Sequence, residues 1–183
     1  KTIDGGQTWT IVNTSPQSDI LSIDFCDSLF GYAVGGQSTI LKTTDGGSSW
    51  ARMATEPVQV GAEAGWNNSF QVMGTHIWFG TNATKVYHSS DLGVTWASGV
   101  ATGSVNTYAL HYNSATNGLA GGTAMVKSVD GGTTYTAATT PGLSGNVSGI
   151  TGVGTNWWSV RTGTDIYCST DHGTPWPVGN TTT

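Results

Sequence analysis

The stretch Thr43-Thr44-Asp45-Gly46-Gly47-Ser48-Ser49-Trp50 decides the fold of this chain. It reads as Ser or Thr, any residue, Asp, any residue, Gly, two further residues and an aromatic ring. The same pattern begins again at Thr2, Ser89, Ser128 and Ser169. The residues at its defining positions are Asp4, Gly6 and Trp9; Asp45, Gly47 and Trp50; Asp91, Gly93 and Trp96; Asp130, Gly132 and Tyr135; and Asp171, Gly173 and Trp176.

The composition of each octapeptide predicts a turn between two strands. An Asp side chain can accept hydrogen bonds from backbone N–H groups a residue or two ahead, which closes a turn locally. Gly supplies the positive φ that such a turn needs, and the aromatic ring on the outgoing strand can wedge into a hydrophobic layer. We therefore expect the Asp residues of the octapeptides to be structural rather than catalytic.

The spacing of the octapeptides predicts the architecture. Their Asp residues follow one another at intervals of about forty residues, and in an all-β chain this period is typical of propeller blades with four strands each. We predict a single β-propeller domain over 1–183, with repeat units at 1–16 (partial), 17–55, 56–101, 102–140 and 141–183. These are four complete antiparallel blades plus part of another, from a larger propeller of roughly six to eight blades. A closed four-bladed ring with a spare strand is the alternative.

Apolar alternation and turn residues place the strands inside each unit. The predicted strands are 8–13; 20–25, 30–35, 39–43 and one starting at 50; one within 66–73, 76–80, 85–89 and one starting near 95; 107–112, 118–121, 125–128 and 134–138; and 147–153, 156–160, 165–169 and 176–178. No helix is predicted, because Gly, Thr and Asn interrupt every candidate. The connector 55–65 is the longest, and it explains the one longer interval between octapeptides.

Charge and composition exclude several functions. Only six Lys and Arg are present and the net charge is −5, whereas nucleic-acid binding needs a basic footprint. No apolar run reaches membrane-spanning length. Cys26, Cys168 and the four His residues show no metal-ligand spacing, so neither a metal nor a cofactor is predicted. A bridge between the two cysteines requires Cα atoms within about 7 Å. The low charge and the Thr-rich surface indicate an extracellular, cell-surface or periplasmic protein.

The octapeptides resemble the Asp-box, also known as the bacterial neuraminidase repeat. The longer phrase from Gly31–Gly35 through Ile40–Trp50 is most similar to the family of photosystem II stability and assembly factors, and it also resembles secreted bacterial propellers of unassigned role. The resemblance covers the chain unit by unit. It implies that each box lies between the third and fourth strands of a blade, on the side opposite the usual ligand site.

The resemblance also implies where ligands bind, on a surface that we name the upper face. Its segments are the connectors between blades and the turns between second and third strands: 14–19, 55–65, 99–105 and 139–146, with 36–38, 81–84, 122–124 and 162–164. Among the residues in or beside these segments, the candidate binding residues are Trp66, Glu63, Arg161 and Asp165. Trp66 could stack on a sugar, and the alternative is that it packs between blades.

Catalysis is not predicted, and no catalytic residue is assigned. Sialidases with this repeat hold a carboxylate with three arginines, whereas this chain has only Arg52 and Arg161. Glycosidases need two carboxylates about 5 to 10 Å apart, and a pair such as Asp19 with Glu63 is supported by no local motif. The photosystem assembly family is known for a basic patch, which the few scattered cations of this chain do not obviously supply.

We therefore predict a non-enzymatic protein- or glycan-binding or scaffolding propeller, part of a larger, extracytoplasmic bacterial protein or complex. Protein partners or a glycan are the expected ligands. Neither nucleic acid nor a membrane span is expected, and the oligomeric state is left open. The alternative is a fragment of a glycoside hydrolase, sialidase- or xyloglucanase-like, that lacks part of its active site.

Overall fold

The computed structural model describes residues 1–14, 19–36, 39–57, 63–103, 106–140, 145–163, 166–173 and 176, and in this part of the chain all regular structure is β. The strands are β1 (Ile20–Phe25), β2 (Gly31–Gly35), β3 (Ile40–Thr43), β4 (Ala51–Arg52), β5 (Gly65–Met73), β6 (His76–Thr81), β7 (Lys85–Ser89), β8 (Ala97–Val100), β9 (Thr107–Tyr112), β10 (Gly118–Gly122), β11 (Met125–Ser128), β12 (Thr136–Ala137), β13 (Val147–Val153), β14 (Asn156–Arg161) and β15 (Ile166–Ser169). Their bounds agree with the predicted strands to within about two residues, except over 8–13 and 176–178.

Consecutive strands pair antiparallel into four blades, each a meander that starts at the centre of the molecule. Blade 1 is β1–β4, blade 2 is β5–β8, blade 3 is β9–β12, and blade 4 comprises β13–β15 in the described part. The inner strands β1, β5, β9 and β13 line one central channel. In addition, β5 and β9 pair in parallel at Asn68 and Ala109, which joins blades 2 and 3 into one eight-stranded sheet.

A polar side chain at the same position of β1, β5 and β9 bonds to the inner strand of the following blade. The three bonds run from Val72 N to Asp24 Oδ2 (2.7 Å), from Tyr112 N to Gln71 Oε1 (2.6 Å), and between His111 Nε2 and the Gly152 carbonyl (3.1 Å). Asp24, Gln71 and His111 are polar residues that face the channel. Each also satisfies a backbone group of the next blade, so these residues hold neighbouring blades in register.

The core lies between blades rather than inside any one sheet. Its clusters include Tyr32, Val34 and Ile40 with Phe70, Val72 and Phe79 between blades 1 and 2; Trp78 and Val86 with Leu110, Tyr112 and Val126 between blades 2 and 3; and Leu119 and Met125 with Val147, Trp157 and Tyr167 between blades 3 and 4. Burial of one such side chain contributes about 1.5–3 kcal/mol. Each blade is thus stabilised by its neighbours, as in other repeat proteins.

The octapeptide of blade 1 forms a turn between β3 and β4, and those at 89–96 and 128–135 make the equivalent bonds in blades 2 and 3. The carboxylate of Asp45 accepts hydrogen bonds from Ser48 N (2.9 Å), Ser49 N (2.8 Å) and Ser49 Oγ (2.6 Å). Gly47 has a φ of 77° and donates its N–H to Thr43 Oγ1 (2.9 Å). Since β3 runs into this turn, the box lies at the opposite end of the sheet from the turn that joins β2 to β3. The boxes and the upper face are therefore on opposite sides.

The strand predicted over 8–13 is not formed, and this expectation was wrong. Within the described residues the segment pairs with no strand, and only Thr10 exchanges backbone hydrogen bonds with Lys1, at 2.8 and 2.7 Å. In the described blades the strand after the box pairs with the strand that ends at the first Ser or Thr of the box. Trp9 is 72% exposed and is not a core residue, unlike the buried Tyr135. Of the predicted strand 176–178, only residue 176 is among the described residues.

Both end blades present an apolar face to solvent. Ile23 of blade 1 is 56% exposed, although Phe70 at the same position of blade 2 is buried. Ile166 of blade 4 is 65% exposed, although Ile40 and Val86 at the equivalent positions are buried. Blades 1 and 4 therefore do not cover each other's faces. The arrangement fits a partial propeller better than a closed four-bladed ring.

Candidate binding site at the channel mouth

Irregularities in the inner strands build the most distinctive site of the molecule. In β1, β9 and β13, one residue is extra relative to the neighbouring strand; these residues are Leu21, Tyr108 and Ser148. A β-bulge of this kind bends the strand and redirects a side chain, and such bulges are common beside functional sites. Here all three bulged residues lie at the upper end of the channel and line the same cavity.

The bulge in β5 is longer. Gly65 pairs with Thr81 and Phe70 pairs with Phe79, so the four residues 66–69 lie opposite Gly80 alone. The extra length moves Trp66, Asn67 and Asn68 out of the ladder and into the upper end of the channel. The local sequence Trp66-Asn67-Asn68-Ser69 explains this departure, because it interrupts the alternation of apolar and polar residues that resumes at Phe70.

We name the resulting cavity the channel mouth. It has a volume of about 630 Å³, which lies within the range of small-ligand sites. It is lined by Leu21, Ala64, Gly65, Trp66, Asn67, Asn68, Asn82, Tyr108, Asn146, Val147, Ser148 and Thr162. Every inner strand contributes, and no charged side chain is among these described lining residues.

Contacts between blades hold the side chains of the channel mouth in place. The rings of Trp66 and Tyr108 form a T-shaped pair with centroids 4.8 Å apart. Asn106 Nδ2 donates to Tyr108 Oη (2.8 Å), which fixes the ring from the other side. Asn68 Nδ2 donates to the Ser148 carbonyl across the channel (2.7 Å). Because these side chains of the protein are already held in place, they would lose little conformational freedom when a ligand binds.

The described lining of the channel mouth offers mainly groups that can form hydrogen bonds. Asparagine amides offer both donors and acceptors, and hydroxyl groups do the same, but none of them is an acid or base near neutral pH. No group of three or more His, Cys, Asp and Glu side chains that could hold a metal ion occurs in the described part of the chain. Cys26 and Cys168 are both free thiols.

Glu63, one of the predicted binding residues, lies outside the channel mouth. It is only 2% exposed. Its Oε2 accepts a hydrogen bond from Tyr87 Oη (2.7 Å), and its Oε1 is 3.4 Å from Lys85 Nζ. Burial, and then the hydrogen bond to Glu63, raise the pKa of Tyr87 well above its ordinary value. The structure thus places the buried Glu63 in an ion pair with the partly exposed Lys85, at the upper end of blade 2.

The other glutamate of the long connector is also engaged. Glu56 forms a salt bridge with Arg52, with Nη2 2.8 Å from Oε2, and it accepts the N–H of Ile40 at 3.0 Å. Both glutamates that could have served a glycosidase therefore bond to neighbouring protein groups in this structure.

Arg161 lies next to the channel mouth but does not line it. The residue is buried at the end of β14, and its Nη1 donates to the Gly145 carbonyl (2.9 Å). Burial lowers the pKa of this guanidinium below its ordinary value. Asp165, the fourth predicted binding residue, lies outside the described residues. Of the four candidates, only Trp66 lines the channel mouth, where it is 39% exposed.

Sequence reasoning missed the asparagines and the tyrosine of the channel mouth. They are Asn67, Asn68, Asn82, Asn146 and Tyr108. Amides and single tyrosines are common on any turn-rich surface, so their residue types carry no signal. The break in alternation at 66–69 was the available signal, because it marks a strand that cannot pair regularly.

The part of the chain that the structure describes contains no helix long and apolar enough to cross a membrane.

Comparison with known proteins identifies the family. The model of the family described as photosynthesis system II assembly factor YCF48 matches residues 2–104. The chain belongs to this family. Among curated proteins, none matches the chain.

Solved structures of this family share the fold. A structure of YCF48 bound to D1 peptide is 17% identical with a TM-score of 0.69, and the match covers 86% of this chain and 54% of that one. YCF48 from Cyanidioschyzon merolae is 16% identical with a TM-score of 0.67, with 91% and 57% covered. The chain thus spans about half the length of these relatives. The predicted Asp-box propeller fold and its resemblance to photosystem assembly factors are confirmed.

Propellers of glycoside hydrolases are also similar. A GH74 enzyme from Niastella koreensis is 19% identical with a TM-score of 0.65, and the match covers 90% of this chain and 25% of that one. At such identity the likeness shows the fold alone.

The expected extracellular, cell-surface or periplasmic location was wrong. The family to which the chain belongs is described as a photosynthesis system II assembly factor, YCF48, and two similar solved structures are also named YCF48. The low charge and the many Thr residues that suggested this location have a structural origin, because turns and closely packed blades need small polar residues whatever the compartment.

Proposed function

We propose that the chain is a non-enzymatic propeller module that binds an extended segment of a partner protein at the channel mouth and serves in assembly or scaffolding. One observation carries this proposal. Four inner strands converge on a preorganised cavity of amides, hydroxyls and aromatic rings, while the nearby carboxylates of Glu56 and Glu63 are engaged with the protein itself. Such a surface can recognise a ligand but has no evident acid and base.

Membership in the assembly-factor family supports a protein partner. The solved relative named YCF48 is bound to a D1 peptide, so a propeller of this kind can accept a peptide. A segment of a protein chain suits the channel mouth, since backbone amides and carbonyls complement asparagine side chains. Peptides of D1 are therefore the first ligands to test for this chain.

The competing class is a glycoside hydrolase, because GH74 propellers have the same fold. A retaining or inverting glycosidase requires two carboxylates across the sugar bond. Glu63 is buried against Lys85 and Tyr87, so it cannot reach a sugar in the channel without breaking that pair. An exposed Trp66 beside amides could still stack on a glycan, and the experiment must include this ligand.

The test is binding of the purified chain to an array of overlapping D1 peptides, followed by titration of the strongest peptide. Trp66→Ala is expected to weaken binding by about tenfold or more, as for a central aromatic contact. Trp9→Ala is the matched control, because Trp9 is exposed and distant from the channel mouth. Xyloglucan oligosaccharides are tested in parallel for binding and hydrolysis. Sugar binding without peptide binding, or any hydrolysis, would overturn the proposal.

A further inference from the structure

We propose that Arg161 forms a carboxylate-binding subsite at the edge of the channel mouth, where its guanidinium takes one carboxylate group through two parallel hydrogen bonds. The inference rests on the proposed function where that carboxylate belongs to a peptide, and it names the chemical group that the partner carries. Four features of Arg161 support it: its burial, the shape of its unpaired edge, its place beside the cavity and its position in the repeat.

Arg161 is a buried cation without a counter-charge in the described part of the chain. The residue is 7% exposed, and its Nη1 donates to the Gly145 carbonyl at 2.9 Å. Its Nε and Nη2 atoms are buried and have no hydrogen-bond partner among the described residues. Neither ion pair of that part of the chain includes it. Because a buried charge without a partner is strongly unfavourable, this guanidinium is expected to receive an anion.

The two unpaired donors of Arg161 have the geometry that a carboxylate requires. Nε and Nη2 lie on one edge of the planar guanidinium, and their N–H groups match the two oxygens of a carboxylate. Arg52 shows this arrangement in the same protein, with its Nε 2.9 Å from Glu56 Oε1 and its Nη2 2.8 Å from Oε2. The edge that Arg52 offers to Glu56 is the edge of Arg161 that has no described partner. A carboxylate is therefore the anion that fits.

Arg161 lies where a ligand of the channel mouth can reach it. It pairs with Val147 at the upper end of β13 and β14, and both Val147 and the next residue in β14's direction, Thr162, line the cavity. Gly145, which accepts the bond from Nη1, directly precedes Asn146, another lining residue. Since this bond is the one that holds the guanidinium among the described residues, a small rotation of the side chain would present its unpaired edge to the cavity.

The plan of the blades does not require an arginine at this position. In each described blade, one residue of the second strand pairs with the inner strand at the upper side of the bulge, and in blade 4 this residue is Arg161. The equivalent residues of the other blades are small and uncharged, and they are Gly35, Thr81 and Gly122. A buried charge that the repeated architecture does without points to a role in binding.

The experiment compares the acid and amide forms of one peptide. The strongest binder of the D1 array is synthesised with its carboxyl groups free and with all of them converted to amides. The acid form is expected to bind the full chain about tenfold more tightly or better, because the amide form leaves the guanidinium buried and unpaired. In Arg161→Met, which has neither the charge nor the donors, the two forms should bind within about twofold of each other.

Thermal unfolding separates a binding role of Arg161 from a structural one. Replacement of a structural arginine would lower the Tm, whereas removal of an unpaired buried charge is neutral or stabilising, so Arg161→Met should have a Tm no lower than that of the parent. Arg161→Lys keeps the charge without the two parallel donors and should retain only part of the preference for the acid form. Arg52→Met is the matched control, because it removes a surface ion pair and should bind both forms as the parent does.

Acetate tests the subsite without a peptide. Sodium acetate that replaces sodium chloride at equal ionic strength should raise the Tm of the parent if the subsite takes a free carboxylate, since a ligand that binds only the folded state stabilises it. The Tm of Arg161→Met should be the same in both salts. This comparison distinguishes a free carboxylate from one that belongs to a peptide.

The outcomes separate this inference from the proposed function. A preference for the acid form that is lost in Arg161→Met supports a peptide carboxylate. Protection by acetate through Arg161 without such a preference supports a free carboxylate, and if no peptide binds, the proposed function fails while the subsite stands. The inference is overturned if neither effect occurs, whether or not peptides bind. It is also overturned if Asp165→Asn and Arg161→Met lower the Tm equally and the double variant lowers it no further, because Asp165 would then be the internal counter-charge.

Discussion

Trp66 and Tyr108, on the inner strands of neighbouring blades, meet as a T-shaped pair with ring centroids 4.8 Å apart and an interplanar angle of 83°. Both residues are displaced from the regular ladder by bulges in their strands. The pair shows how the propeller obtains a ligand-sized cavity: strand irregularities, rather than long loops, bring the side chains together.

Removal of the Tyr108 ring should weaken ligand binding without unfolding the protein. Tyr108→Ala leaves the indole of Trp66 without its packing partner, and we expect a loss of about threefold to tenfold in peptide affinity. Tyr108→Phe keeps the ring and loses only the bond from Asn106, so it should bind within about twofold of the parent. Titration of one labelled peptide with each variant checks this, and equal affinity of Tyr108→Ala and the parent would contradict it.

The Asp-box carboxylates should contribute to stability and not to binding. Asp45→Ala removes the acceptor of four hydrogen bonds within the turn, and we expect a lower Tm with unchanged peptide affinity in the folded protein. Asp19→Ala, on the upper face and outside any box, is the control and should leave the Tm unchanged. An Asp45→Ala variant as stable as the parent but unable to bind would show that the box is a ligand site.

The ion pair of buried Glu63 with the partly exposed Lys85 should be structural. Glu63→Gln removes the charged acceptor of the Tyr87 hydroxyl and the counter-charge of Lys85, and should cost about 1.5–3 kcal/mol of unfolding free energy, as for a hydrogen bond to a charged group. The double variant Glu63→Gln with Lys85→Met should recover part of this loss, as measured by urea denaturation. The exposed pair of Arg52 and Glu56 provides the comparison, where removal of Arg52 should cost about 0.2–1 kcal/mol. Loss of peptide binding with intact stability would instead make Glu63 a ligand residue.

His88 should make stability depend on pH. Burial, and then the charge of His76, lower the pKa of His88 to about 4, while Asp91 acts in the opposite direction. The unfolded chain, with a His pKa of about 6.5, binds more protons over this range. Stability is therefore complete above about pH 6.5 and falls as the pH decreases toward 4.

A substitution isolates this effect. His88→Phe keeps a ring in the stack with Trp78 and cannot be protonated, so its unfolding free energy should vary less between pH 6.5 and 4 than that of the parent. The unfolding free energy that is still lost at lower pH comes from box carboxylates such as Asp91, whose pKa is lowered to about 2 by hydrogen bonds from Thr95. An unchanged pH profile in His88→Phe would exclude His88 as the cause.

The fold was predictable because its signals are local. The turn chemistry around Asp45 and Gly47 and the alternation in Ile20–Phe25 need no knowledge of the rest of the chain, and both led to the observed strands. The strand predicted over 8–13 failed for the opposite reason. A strand requires a hydrogen-bonding neighbour. The local pattern of 8–13 shows that the segment could form a strand, but it does not show whether another strand lies beside it.

The candidate site was largely hidden from sequence reasoning. Glu63 and Arg161 were selected by charge, yet burial places one in an ion pair and the other beside the cavity. The channel mouth depends instead on the register between strands, which a single strand does not reveal. Trp66 could be selected from the sequence because it is an indole beside a long connector. Asn68 and Tyr108 line the cavity only because bulges displace them from the regular strand pairing.

The most direct test of the central claim is to map the ligand on the protein by NMR, with a peptide selected from the D1 array. The claim is that ligands bind at the channel mouth and not at the boxes. We predict that backbone and side-chain amide resonances of Trp66, Asn67, Asn68 and Ser148 shift on peptide addition, while those of Gly47 and Gly132 stay in place. Shifts confined to the box turns, with an unperturbed channel mouth, would contradict this account.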